Sequence, residues 1–205
     1  MTYNFHEYID RKNTASMKWE MTKTVFGTDD VLPMWVADMD FKPPKEVVDA
    51  FNKRIDHGIF GYTIVPSSAT EAVQSWLKKR HGWEVDEKAF LYNSGVVPSI
   101  AIAVHAFTEQ GDKIMLQSPV YAPFFNMIKM NGREVVNSPL TIKDGRFEID
   151  FADFEEKLKE GVKLFLLCNP HNPGGRVWTE EELRKIGDLC AKYNCYIFSD
   201  EIHSD

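Results

Sequence analysis

The sequence predicts an α/β protein in which a mostly parallel sheet is covered by helices on both faces. Short apolar runs of strand length alternate with segments that are apolar at helical spacing, from residue 89 to the end of the chain. The intervening helical segments are about 10 to 15 residues long, as crossover connections between parallel strands require. With 205 residues, 43% hydrophobic and 27% charged, the chain has the composition of an ordinary globular domain.

The first 43 residues are irregular in pattern, a polar arm followed by the apolar stretch Val31 to Phe41. Val47, Val48, Phe51 and Ile55 then recur at helical spacing until Gly58. A second helix is predicted from Ser68, with Glu71 completing a capping box, to Gly82. After it come a strand at Ala89 to Asn93, a helix from Val97 to Glu109, a strand at Lys113 to Gln117 and a helix from Ala122 to Met130. The rhythm continues with a strand at Glu134 to Asn137, a helix at Phe151 to Glu160 and a strand at Lys163 to Cys168. A helix at Glu180 to Tyr193, opened by a Thr179/Glu182 capping box, and a strand at Tyr196 to Ser199 complete it.

Composition excludes several classes of function. The net charge of −7 is spread along the chain, which argues against a nucleic-acid partner. Apolar runs such as Ile100 to Ala106 are far shorter than the roughly 18 residues that span a bilayer. The first 20 residues carry charges and no apolar core of a signal peptide. Cys168, Cys190 and Cys195 form neither a disulfide framework nor a zinc motif, so a reducing cytoplasm is expected. His171, His203 and Asp205 match no common zinc spacing, and Ser75 to Lys78 is a chance S-x-x-K on an amphipathic helix.

Ligands of open α/β sheets bind outside the carboxyl ends of the strands, so those ends carry the functional reading. Asn93-Ser94-Gly95-Val96-Val97 passes from strand to helix and offers free backbone N–H groups to a phosphate. Ser118-Pro119-Val120-Tyr121 brings an aromatic ring to the same edge. Asn169-Pro170-His171-Asn172-Pro173-Gly174-Gly175 is a stiff turn able to aim an amide. The last strand ends in Asp200, a carboxylate expected to have a cationic partner. Phosphate anchor, stacking ring, amide and acid are together what pyridoxal 5'-phosphate (PLP) requires.

The sequence also resembles, along its whole length, the PLP-dependent enzymes of fold type I, and within them the cystathionine β-lyase and cystalysin type of carbon–sulfur lyase. The matching residues are Asp10-Arg11, Thr14, Ser16 and Lys18-Trp19; Leu32 to Phe41; Gly58 to Thr63; and Ser199-Asp-Glu-Ile-His203. The resemblance implies the aspartate-aminotransferase fold, incomplete at its C-terminus, with an arm and part of a small domain in 1–43 and an incomplete PLP-binding large domain in 44–205. It implies that Gly95, Val96 and Val97 hold the phosphate, Tyr121 stacks on the ring, Asn172 donates to the ring oxygen and Asp200 pairs with the pyridine nitrogen. His203 joins the cofactor site where aminotransferases often carry tyrosine, Tyr62 reaches the phosphate in the neighbouring subunit of a homodimer, and the backbone of Val36 and Ala37 helps hold the substrate carboxylate.

The family's Schiff-base lysine follows the Asp-Glu-Ile-His segment, and no lysine of this chain occupies that position. The expectation is therefore part of a longer enzyme, inactive alone, with exposed sheet edges. The whole would release pyruvate, ammonia and a thiol from cystathionine or other cysteine S-conjugates. An aminotransferase on the same fold and a non-catalytic protein that kept the cofactor cradle are the competing readings.

Overall fold

A computed structural model describes residues 3–204, and the chain divides into two compact units between Ala72 and Val73. The first carries two short helices, α1 (Met17–Glu20) and α2 (Thr22–Phe26), then α3 (Lys45–Asp56); α4 (Ser67–His81) spans the boundary. The second contains a 3₁₀ turn at Glu87–Ala89, then α5 (Val96–Phe107), β1 (Lys113–Leu116), α6 (Pro123–Met130) and β2 (Glu134–Asn137). A hairpin follows, β3 (Thr141–Lys143) and β4 (Arg146–Glu148), then α7 (Phe151–Lys159), β5 (Leu164–Cys168), α8 (Glu180–Lys192) and β6 (Tyr196–Asp200).

The main sheet has the order β2-β1-β5-β6, and all its pairings are parallel. Strand residues alternate between two cores because successive side chains leave a strand on opposite faces. Ile114, Leu116, Leu164, Leu166 and Cys168 pack with Ile100 and Val104 of α5 and Phe124 and Ile128 of α6. Met115, Phe165 and Leu167 pack on the other face with Phe154 and Leu158 of α7 and Ile186 and Cys190 of α8. Every β5 side chain is buried, as expected of an inner strand of a two-faced sheet.

Local chemistry sets the helix starts. The Asp150 side chain accepts the N–H groups of Ala152 and Asp153 to open α7. Thr179 and Glu182 form the predicted capping box of α8, at 3.2 and 2.8 Å. Helix α4 begins at Ser67, so Ser68 lies inside its first turn and is not the N-cap.

Two expectations fail. No strand forms at 89–93, where a 3₁₀ turn gives way to irregular backbone with Leu91 and Tyr92 exposed. A strand needs a neighbour for its N–H and C=O groups, and the described sheet ends at β6 without reaching this segment. Conversely, the β3–β4 hairpin was not foreseen. Its turn is Asp144-Gly145, both at positive φ (50° and 75°), the pair that a two-residue hairpin turn favours.

The expected exposed edge is present. The outer side of β6 is unpaired among the described residues, with Tyr196 58% exposed and Ile197 40%. The apolar stripe of α3 is likewise uncovered, Phe51 being 67% exposed.

In the first unit, the Leu32 to Phe41 segment is tied to the arm by charge. Arg11 reaches Asp38 and Asp40 at 2.7 Å each, and Lys18 reaches Asp40 at 2.7 Å. The Trp19 indole N–H also donates to Asp40, at 3.0 Å. Lys18, then Trp19, then Arg11 hold the Asp40 carboxyl well below the usual carboxylate range, and Arg11 lowers Asp38. Carboxyls depressed in the folded state stabilise it above their ordinary range, near pH 4, and that contribution is lost as pH falls through their lowered values. Acid titration followed by tryptophan fluorescence should therefore show a step below about pH 4 that Asp40→Asn removes. An identical acid profile in the variant would sink this assignment.

Candidate functional site at the carboxyl edge of the sheet

Because the main sheet is parallel, β1, β2, β5 and β6 all end on one edge. Helix α5 runs antiparallel to β6, since Phe107 at its C-terminus meets Tyr196 at the start of β6, ring centroids 5.0 Å apart. Its 12 residues span about 18 Å, comparable to the five of β6, so its N-terminus reaches the carboxyl edge near Asp200.

That N-terminus is open. Gly95 is the N-cap, at φ 155°, a conformation that L side chains rarely adopt, and no side chain among the described residues caps the helix. Ser99 N–H already donates to Gly95 O at 3.2 Å, and Pro98 has no N–H. The donors left for a ligand are therefore on Val96 and Val97, at the positive end of the helix dipole.

Asp200, the last residue of β6, is only 5% exposed. One carboxyl oxygen accepts the Ile202 N–H at 3.1 Å, and its backbone carbonyl accepts the Asn169 N–H at 3.0 Å. Its side chain shares a face with Phe198, the α5/α6 face, by strand alternation. The expected cationic partner is absent among the described residues. Lys113 and Lys163, the lysines flanking the sheet, stand at its amino edge.

Cys168 pairs in register with Asp200 and links it to the next loop. Its sulfur accepts the Asn172 N–H at 3.3 Å, while its own S–H lies 3.5 Å from Pro170 O. Burial pushes the thiol pKa up, Asp200 adds to this, and the Asn172 N–H opposes it. The thiol is thus a neutral spacer between Asn172 and Asp200. Asn172 is half-buried, and its side-chain amide has no partner among the described residues. Asn169, by contrast, spends its amide oxygen on the Trp178 N–H at 3.1 Å.

Tyr121 is 40% exposed, edge-on to Phe124 of the α5/α6 core at 6.3 Å. His203 is exposed just past β6. Gly95, Val96, Val97, Tyr121, Asn172 and Asp200 therefore gather at one edge, the last three carried by the ends of three different strands, β1, β5 and β6, and His203 follows Asp200 by three residues. Tyr62, Val36 and Ala37 belong to the other unit: Tyr62 is fully exposed, Val36 half-buried and Ala37 exposed.

Two contributors escaped the sequence reading. Cys168 looks like a core residue at the end of Leu-Phe-Leu-Leu-Cys, and His171 looks like one more polar loop residue. Only burial marks them, at 4% and 5% exposed. Chemically, the edge offers anion donors, an aromatic face, an unused amide and a buried carboxylate short of a cation. Among the described residues no group of three His, Cys, Asp or Glu is arranged to hold a metal.

The model of the family described as aminotransferase class I and II matches residues 29–205. Cystathionine beta-lyase PatB of Bacillus subtilis (strain 168) is 49% identical over 203 residues, 98% of this chain and 52% of that protein. Among solved structures, cystalysin from Treponema denticola, which contains a pyridoxal 5'-phosphate cofactor, superposes with a TM-score of 0.92 at 38% identity. It is matched over 98% of this chain and 52% of its own. The PLP-bound C–S lyase from Staphylococcus hominis gives a TM-score of 0.91 at 38% identity with the same coverage. The chain thus spans about half the length of the relatives it matches.

Proposed function

The chain belongs to the aminotransferase class I and II family, and from that premise we propose that the protein it forms is a PLP-dependent carbon–sulfur β-lyase acting on cystathionine or other cysteine S-conjugates. The observation that carries the proposal is Asp200, a buried carboxylate without a cation among the described residues, at the same edge as the N-terminus of α5, which no described side chain caps. A buried charge is costly unless paired, and a pyridinium N–H supplies the missing partner. Relatives with lyase activity in their names support the reaction class.

When bound, PLP supplies an electron sink for negative charge at the α carbon of the amino acid. The chain's own residues hold and orient it. Gly95, Val96 and Val97 receive the phosphate at the helix terminus. Tyr121 lies against the ring, Asn172 donates its amide to the ring oxygen, and Asp200 keeps the proton on the ring nitrogen. His203 lines the same site beyond β6. Val36 and Ala37 take the substrate carboxylate on backbone groups, and Tyr62 reaches the phosphate of a second subunit. The exposed stripe of α3 and exposed Tyr62 support a homodimer. Functionally, 1–43 serves as the arm and part of the small domain and 44–205 as the cofactor-binding region. No described helix is long and apolar enough to cross a membrane, and a cytoplasmic enzyme is the reading we adopt.

Elimination converts a cysteine S-conjugate and water into pyruvate, ammonia and the free thiol. The test is to incubate the full-length protein with L-cystathionine and PLP, without any 2-oxo acid, and assay pyruvate. Pyruvate formation is expected. Turnover that requires an added 2-oxo acid would instead support an aminotransferase, and no turnover with bound PLP would leave a non-catalytic cradle.

A further inference from the structure

We propose that His171 positions Asn172, its buried imidazole acting as the internal acceptor that holds the loop after β5 in the shape that aims the Asn172 amide at the cofactor. This rests on the reading of Asn172 given above and names a residue that the reading did not use.

The side-chain amide of Asn172 makes no hydrogen bond among the described residues, so its direction comes from the backbone that carries it. That backbone is fixed on one side by the Cys168 sulfur, which accepts the Asn172 N–H. On the other side everything converges on His171. Its N–H donates to Arg176 O at 2.7 Å, its carbonyl accepts the Gly175 N–H at 2.8 Å, and its Nδ1 accepts the Gly174 N–H at 3.1 Å. The donor in the last bond is a backbone amide whose hydrogen is set by the planar peptide, so Nδ1 must be the unprotonated nitrogen. The proton of the neutral ring is then on Nε2.

The ring is clamped rather than merely enclosed. It stands edge-on to Trp178, centroids 5.4 Å apart, and beside Phe147 of β4 at 6.4 Å. A Cβ at Gly174 would collide with Nδ1 and press on the Phe147 ring, so glycine at 174 is what allows the backbone to approach the imidazole. Arg176, beside the ring, is pinned to Glu182 of α8 at 2.5 Å and donates to Phe147 O at 2.6 Å. Burial first, and Arg176 second, lower the His171 pKa, while the Gln117 backbone at the end of β1 opposes them. Arg176, ion-paired with Glu182, is the charged group that acts on the ring; Phe147, Trp178 and Gln117 carry no charge. The net direction keeps the imidazole neutral and Nδ1 free to accept.

A further detail fits this role. His171 Nε2, Gln117 Nε2 and Ser138 Oγ are all buried without a hydrogen bond of ordinary geometry among the described residues, the Gln117 backbone lying close to the imidazole. Gln117 and Ser138 follow directly on paired residues of β1 and β2, and by alternation both point to the α7/α8 face, where Trp178 packs. His171 therefore stands behind the loop, on the face opposite Asp200 and Cys168, as a support and not as a group that touches the ligand.

The test uses the full-length protein and three substitutions, with PLP affinity measured by its visible absorbance and hydrogen–deuterium exchange of 169–176 measured without PLP. His171→Phe keeps an aromatic ring against Trp178 but loses the acceptor. His171→Asn leaves a larger void but returns an oxygen near the place of Nδ1. If His171 positions the loop, His171→Phe weakens PLP binding about tenfold, the order expected for one lost hydrogen bond, and speeds exchange at Gly174. His171→Asn then stays within about threefold of the parent. A packing role predicts the reverse order, so His171→Phe binding PLP like the parent, or better than His171→Asn, would overturn the inference. Asn172→Ala separates this from the underlying reading. If it weakens PLP binding while His171→Phe does not, the reading stands and the inference falls; if it has no effect, both fall.

Discussion

Asp200→Asn in the full-length protein is expected to lower turnover by about 10²- to 10³-fold, the range for removing a preorganised electrostatic group from a water-excluded site. The substitution is chosen because asparagine retains the oxygen that accepts the Ile202 N–H at 3.1 Å. It removes only the charge. A carboxylate that is 5% exposed and has no cation among the described residues is a burden on the ligand-free fold. Stability without PLP should therefore be unchanged or improved, while PLP affinity and turnover fall. Opposite signs in the two measurements would identify a group kept for function at the expense of stability. Turnover within about threefold of the parent would show that Asp200 is only the end of a strand.

Phe165→Ala is expected to give the largest loss of stability, about 3 to 5 kcal/mol, measured as a shift of the urea unfolding midpoint at constant slope. Phe165 is fully buried in the middle of β5, between β1 and β6. It packs edge-on against Phe154 of α7, ring centroids 5.0 Å apart and planes at 83°. Truncation removes both the transfer free energy of the ring and the contacts of a cavity that strands on either side keep from collapsing. Ile142→Ala in the β3–β4 hairpin, at a side chain 70% exposed, should cost no more than about 0.5 kcal/mol. A Phe165→Ala cost below about 1 kcal/mol would mean that β5 is not the centre of the core.

The elements that the sequence makes legible are those whose signals are local. β2 and α8 begin at Glu134 and Glu180 as predicted, the latter because Thr179 and Glu182 satisfy each other's backbone partners within four residues. The strand predicted at 89–93 has a suitable apolar run, yet a run of apolar residues becomes a strand only when another strand accepts its hydrogen bonds. The hairpin at 141–148 was missed although Asp144-Gly145 is a turn signal, because strands of three residues carry too little alternation to register.

The candidate site divides in the same way. Asp200, Asn172 and Tyr121 were readable because each is an unlike residue following an apolar strand, and the parallel sheet brings such ends to one edge, whereas the Gly95 turn was readable as a glycine opening a helix. Two of the site's supports had no such mark, since burial and partnership are not written in residue type. Cys168 becomes a spacer only because β5 pairs with β6 in the register that sets it beside Asp200. His171 becomes an acceptor only because the loop folds back through Gly174.

By itself, then, the sequence determined the parallel α/β layout, the crossover helices and the edge where the chemistry gathers, because periodicity, caps and turn residues act over a few positions. The tertiary structure decided which strands find partners, which face each residue of the sheet edge takes, and which buried polar groups are left waiting for something outside the chain. Those outcomes depend on register and packing between segments tens of residues apart, and a single residue's identity does not encode them.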